Sequence, residues 1–453
     1  MIAPQQLVEQ ILARATVDDT IVLVTDASEA ALRWAGNSMT TNGLSTSRSW
    51  TVVSIVRDGD EAKVGIVTSA SVDAADIDGV VRSAESAARA AGPASDAMPL
   101  LAATDTDPQW EETAAVTEIG AFEQLAQDLA MGFDGTDQLY GFAHHQLHTT
   151  WLGTSTGIRR RFVQPTGSVE INAKRGDASA WVGTSTKDFT DVPGTKMLEE
   201  LSTRLGWAST RVELPAGRYE TLLPPSAVAD LMIYLMWTME GRAAEEGHSA
   251  LSAPGGTRIG ERLSALPLTL TSDPAALGLE YAPFVATRSS SESVSVFDNG
   301  LDAGRVDWVR EGSVHALAYP RAAAREFGAE VTVPGDNLIL DAGGSLSLDQ
   351  MVAETERGLL LTTLWYIREV DPATLLLTGL TRDGVYLVEN GKVTGAVNNF
   401  RFNESPLDLL RRVSQAGATE RTLPREWKDW FTRTAMPPLR IPDFHMSSVS
   451  QAS

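Results

Sequence analysis

The stretch Arg382–Asn399, RDGVYLVENGKVTGAVNN, is the point from which the fold can be read. Val385 and Leu387 lead into Glu389-Asn390-Gly391-Lys392, and an Asn-Gly tip supplies the positive φ angles that a two-residue hairpin turn requires. This fixes an antiparallel element within a second half that is otherwise β-rich and broken by Gly and Pro. Upstream, RVELPAGRYETLLPP (211–225) brackets a strand with two proline signals and reads as a boundary. A helix from Ser226 to about Glu246 follows it. Downstream, the tail from Pro437 reads as an extended arm.

The first half reads differently. Residues 4–16 carry Leu7, Ile11 and Leu12 at helical spacing. Residues 21–37 alternate like paired strands, and 49–69 reads as a hairpin around Asp58-Gly59-Asp60. Residues 72–91 predict a helix with Asp73 as N-cap and Val80, Val81, Ala84 and Ala88 as the buried stripe. A Pro- and Asp-rich excursion over 92–119 leads to a helix at 121–132, antiparallel strands over 138–190 and a helix at 193–208. Trp151-Leu-Gly-Thr-Ser-Thr-Gly and Trp181-Val-Gly-Thr-Ser-Thr-Lys repeat each other and are expected at equivalent corners of one sheet. The expected fold is α+β: an N-terminal α/β domain of antiparallel strands and helices over 1–212, then a β-rich, barrel-like domain over 213–453 that contains the helix 226–246.

Composition narrows the function. The 453 residues carry a formal net charge of −22, and so acidic a surface repels phosphate backbones and anionic lipid. Neither a nucleic-acid nor a membrane partner is expected. The chain has no cysteine, so disulfides, thiolate catalysis and cysteine-ligated metal sites are excluded. The N-terminus lacks an apolar signal segment, and the most apolar window, Leu222–Met239, is broken by Pro224, Pro225 and Asp230. A cytoplasmic location is expected.

Several motifs in order carry a family resemblance. Arg368-Glu-Val-Asp-Pro, Thr378-Gly-Leu-Thr-Arg-Asp-Gly and Tyr386-Leu-Val-Glu-Asn-Gly-Lys-Val resemble the C-terminal block of the TldD/PmbA family, and Arg258-Ile-Gly-Glu-Arg resembles the segment that follows its central helix. The resemblance implies a cytoplasmic zinc protease built of two related subunits. The TldD type carries HExxxH on the central helix and a cysteine as a further ligand; the TldE/PmbA type lacks them. Matching Ser249-Ala-Leu-Ser252 to the family pattern puts Met232 at the first histidine, Ile233 at the glutamate and Trp237 at the second histidine. A thioether, an alkyl chain and an indole neither hold Zn²⁺ nor activate water, and no histidine lies between 149 and 247. The implied role is a TldE/PmbA-like subunit with no catalytic, metal or cofactor residues of its own. Zinc is expected in a TldD-like catalytic partner, and the substrate is expected to be an extended or unfolded peptide. A self-associating peptide-binding or scaffolding protein on the same fold is the alternative.

Other motifs read as structural. His144, His145 and His148 lie on a predicted strand, which puts His144 and His148 roughly 13 Å apart. Glu245 and His248 sit at a helix end. Gly153-Thr-Ser155-Thr-Gly157 matches GxSxG but is followed by strand-like sequence, whereas a nucleophile elbow needs a helix there. Arg159, Arg160 and Arg161 suit a charge-guarded sheet edge. Ser289–Ser293 reads as a polar loop, whose family equivalent lies near the subunit cavity.

Overall fold

A computed structural model of the chain describes residues 2–59, 61–103, 105–382 and 384–450. Asp60 of the expected 58–60 turn and Asp383 of the Arg-Asp-Gly motif lie outside the described residues.

Six antiparallel strands form the first sheet: β1 (Asp19–Ala35), β2 (Met39–Asp58), β3 (Glu61–Ser69), β4 (Gln138–Thr154), β5 (Arg159–Arg175) and β6 (Ala178–Thr186), in spatial order β3-β2-β1-β4-β5-β6. The 21–37 stretch is one long strand and not a pair, because its turn comes at Gly36-Asn37, where both φ angles are positive. The two Trp-x-Gly-Thr-Ser-Thr repeats share the sheet but not equivalent positions. Trp151 pairs with Arg161 and Trp181 with Asn172, far apart along the same strand β5.

Four helices cover one face: α1 (Pro4–Arg14), α2 (Ile77–Ala90), α3 (Glu123–Phe133) and α4 (Gly194–Trp207). Leu7, Val8 and Ile11 of α1 and Ile77, Val81 and Ala84 of α2 bury against Val22, Val24, Trp50 and Trp151. Asp73 caps the short 3₁₀ turn before α2, accepting from Ala75 N, and Val80 is only half-buried. Strand alternation turns Ile21, Leu23 and Leu152 to the opposite face, where they meet Phe284, Val296 and Phe297 from the second half. The two halves therefore share a core.

The second half holds two larger sheets. One runs Ser313–Val314, Val306–Arg310, Thr269–Ser272, Leu338–Asp341, Thr434–Met436, Glu420–Thr422. The other runs Leu364–Asp371, Leu376–Thr381, Phe400–Glu404, Leu439–Val449, Gly217–Leu223, Arg357–Leu361, Val385–Glu389, Lys392–Val397, Arg211–Val212, with Gln415–Ala416 pairing onto Leu439–Val449. Its end strands do not pair with each other, so the expected barrel is an open sheet. The Asn390-Gly391 hairpin forms as read, with φ of 50° and 75°.

Two further expectations change. The tail is no free arm: Leu439–Val449 lies inside the ten-stranded sheet between Phe400–Glu404 and Gly217–Leu223. A register break between Ile441 and Phe444, with Asp443 at φ 55°, accommodates Pro442, which cannot donate to the ladder. The helix 226–246 is broken into α5 (Pro225–Trp237) and α6 (Gly241–Glu245). Glu240 leaves the helix to bridge Ala318, and Gly241 packs where a Cβ would stand 2.3 Å from the Tyr319 ring. Among the described residues no helix is long and apolar enough to cross a membrane.

Candidate functional site

Helix α5 is almost wholly buried, and one residue in it is out of character. Asp230 lies among alanine, valine and leucine with no solvent exposure. Its carboxylate accepts the backbone N–H groups of Glu426 (2.9 Å), Arg425 (3.2 Å) and Trp427 (3.4 Å), while Trp427 Nε1 donates to the Asp230 carbonyl (2.9 Å). Burial pushes the Asp230 carboxyl well above its ordinary range, and the N–H donors offset part of the rise. One helix residue thus fixes the loop 424–427. Glu426 continues the chain of contacts by accepting from Tyr366 N (3.1 Å) and Ile367 N (3.2 Å). Those bonds hold Tyr366 at φ 51°, a left-handed conformation that costs an aromatic residue about 1–3 kcal/mol.

The loop faces the helix-free side of the first sheet. Glu170 on β5 receives Trp181 Nε1 (3.0 Å) and pairs with Lys428 Nζ (3.2 Å) and Arg425 (3.6 Å). Cavities lie on either side of this cluster. The larger, about 460 Å³, is lined by Phe142, His144, Gln146, Ser168, Asp429 and Trp430, among others. The smaller, about 230 Å³, is lined by Asn172, Lys174, Trp181, Thr363, Trp365 and Arg425, among others. Burial lowers the Arg425 guanidinium, with Glu170 and Asp230 opposing.

Met232 and Ile233 are 1% and 0% exposed and belong to the main core of the second half, whereas Trp237 is 39% exposed. Trp237 packs against Tyr234 at a tilt and edge-on against Trp427, with ring centroids 5.9 and 5.0 Å away. At the positions matched to the two histidines and the glutamate these three side chains offer no donor set that fits the metal and no base. Among the described residues no group of three or more His, Cys, Asp or Glu converges to hold one.

The remaining motif residues are scattered. His144 and His148 flank Glu29 on β1, at 3.6 and 3.8 Å, a carboxylate that sequence distance hid. Burial holds the His144 imidazole below its ordinary pKa, with Glu29 opposing. His145 points to the other face and meets Thr117 Oγ1 (2.6 Å). Ser155 lies in a turn that leads into β5, so its Oγ accepts from Thr20 N and is no nucleophile elbow. Glu245 accepts from Tyr319 Oη (3.0 Å), and His248 is exposed. Arg159, Arg160 and Arg161 do not guard an edge, since β5 is interior to the sheet. They clasp Glu9, Asp302 and Glu112, tying helix, loop and second half to β5. In the 289–293 loop, Ser290 Oγ donates to Asp96 (2.6 Å). Arg258 of the Arg-Ile-Gly-Glu-Arg segment pairs with Glu261, which also receives Arg411.

Sequence reading missed Asp230, Arg425, Trp181 and Trp365. Two local signals existed: a lone acid in the most apolar window, and the dense interleaving of Trp with charge in Arg425–Arg433.

The mixed α+β architecture is that of the TldE-like fold. TldE from Thermococcus kodakarensis superposes with a TM-score of 0.78 at 16% identity, over 98% of this chain and 99% of that one. A protein from Bacteroides thetaiotaomicron described as a candidate modulator of DNA gyrase gives 0.78 at 15% identity, over 99% and 100%. One so described from Thermotoga maritima gives 0.76 at 14%, over 97% and 99%. No curated protein sequence matches the chain. The model of the PmbA/TldA metallopeptidase C-terminal domain matches residues 216–448, and the chain belongs to that family, the TldD/PmbA family.

Proposed function

We propose that this chain is the TldE/PmbA-type subunit of a heteromeric TldD–TldE zinc metallopeptidase that acts on unfolded or flexible peptides in the cytoplasm. The observation that carries the reading is the chemistry of α5: Met232 and Ile233 are core residues where a catalytic subunit would carry a histidine and a glutamate. The chain supplies framework and peptide contacts, and a TldD-like partner supplies zinc and the cleaving water. The 460 Å³ cavity supports the peptide role, with its mixture of His144, Gln146, Ser168, Lys428 and Trp430 suited to backbone and side-chain contacts.

Co-expression with an HExxxH-bearing homologue tests the assignment. The two chains are expected to co-elute on size-exclusion chromatography, with cleavage of an unfolded peptide appearing only in the mixture. Homo-oligomers that ignore that homologue would instead favour the scaffolding alternative.

A further inference from the structure

The smaller cavity has a charge balance opposite to that of the chain. Among the described residues its lining includes Lys174 and Arg425 and no carboxylate, in a protein of net charge −22. The adjacent Glu170 is shared between Arg425 and Lys428, so it offsets only part of that charge. Low-dielectric walls focus such a field on the space between them.

The donors there are preorganised and under-used. The Arg425 guanidinium lies over the indoles of both Trp365 and Trp181, 4.4 and 5.2 Å from their centroids. These ring contacts hold the guanidinium without using its N–H groups, of which Nη1 faces Glu170 at 3.6 Å. Arg425 Nε, Trp365 Nε1 and Thr363 Oγ1 have no hydrogen-bond partner among the described residues, but all three are closed off from the cavity, so the contact it offers an anion is the outer end of the Arg425 guanidinium.

We propose that this cavity binds the C-terminal carboxylate of a peptide, with the last side chain against the Trp181 and Trp365 rings. A planar two-oxygen carboxylate matches the fork of a held guanidinium, and the apolar walls suit the carbon attached to it. About 230 Å³ is below the usual range for drug-sized ligands and holds a terminal residue, not a long segment. The proposal rests on the peptide-subunit reading for the source of the carboxylate, since a free small acid has the same chemistry.

Calorimetric titration of the full chain tests it, using N-acetyl-Ala-Phe as free acid, the same dipeptide as C-terminal amide, acetate and inorganic phosphate. The free acid is expected to bind at least about tenfold more tightly than the amide, the size of one charge-assisted hydrogen bond, and more tightly than acetate or phosphate. Arg425→Gln is expected to abolish the preference for acid over amide. Lys174→Gln, at an exposed position where folding is not at stake, is expected to weaken acid binding several-fold. Equal binding of acid and amide overturns the proposal. So does a site that prefers phosphate, acetate binding as tight as the dipeptide's, or Lys174→Gln and Arg425→Gln chains that bind like wild type. The titration needs neither partner nor zinc. Acid-selective binding without partner complex formation leaves the pocket standing and removes the subunit reading; complex formation with equal acid and amide binding removes the pocket alone.

Discussion

Replacing Asp230 by alanine removes the anchor between α5 and the loop that carries Arg425, Glu426 and Trp427. Two hydrogen bonds of good length, 2.9 and 3.2 Å, and one long one at 3.4 Å are lost from a site with no solvent to replace them. Each orphaned N–H costs about 1–3 kcal/mol, and removing the buried carboxyl returns part of that, so the net loss is about 3 kcal/mol. The effect is local first: the Glu426 contacts to Tyr366 and Ile367 loosen, and Arg425 loses its seat over the Trp365 and Trp181 rings. Urea unfolding followed by tryptophan fluorescence reads the global cost as a lower midpoint. Brief trypsin treatment under native conditions reads the local one as faster cleavage after Arg425. A D230A chain with the wild-type midpoint and the wild-type cleavage rate would refute the reasoning.

Gly391→Ala is expected to cost about 2–4 kcal/mol, because φ there is 75° and the new Cβ would stand 2.5 Å from the Ala353 carbonyl oxygen; thermal unfolding checks it. The Glu261 carboxyl is held near a pKa of about 2, first by its hydrogen bonds from Arg258, with Arg411 assisting and burial opposing. The unfolded chain therefore takes up this proton first, so the stabilisation is complete above about pH 4.5 and is lost as pH falls towards 2. Denaturation midpoints over that window should fall less steeply in Glu261→Gln than in wild type. Met232→His places an imidazole in a packed apolar site and is expected to lower stability by about 2–4 kcal/mol; a melting temperature equal to wild type would count against the packed role of α5.

The parts of the fold that were legible rested on local rules. Asn390-Gly391 at the hairpin tip and the apolar stripe of α2 needed no distant partner to be read. The breaks in expectation came from contacts across the chain. Met239 and Glu240 leave the helical path because Ala318 and Tyr319 offer pairing and packing there, and nothing in 226–246 announces it. The tail looked like an arm because of Pro437, Pro438 and Pro442, yet the register break beyond Ile441 lets an interior strand keep a proline. Closure into a barrel depends on which strands become edges, a property that alternation does not encode. The cleft was least legible: Trp181, Thr363, Trp365 and Arg425 come from segments far apart in sequence, and Glu29 meets His144 and His148 only through the β1–β4 pairing.

The zinc content of the purified chain tests the central claim most directly. Elemental analysis after exposure to excess zinc and desalting, paired with a peptide-cleavage assay on the same sample, should give far less than one zinc per chain and no cleavage. One tightly held zinc per chain, together with cleavage that a chelator abolishes and added zinc restores, would contradict the account.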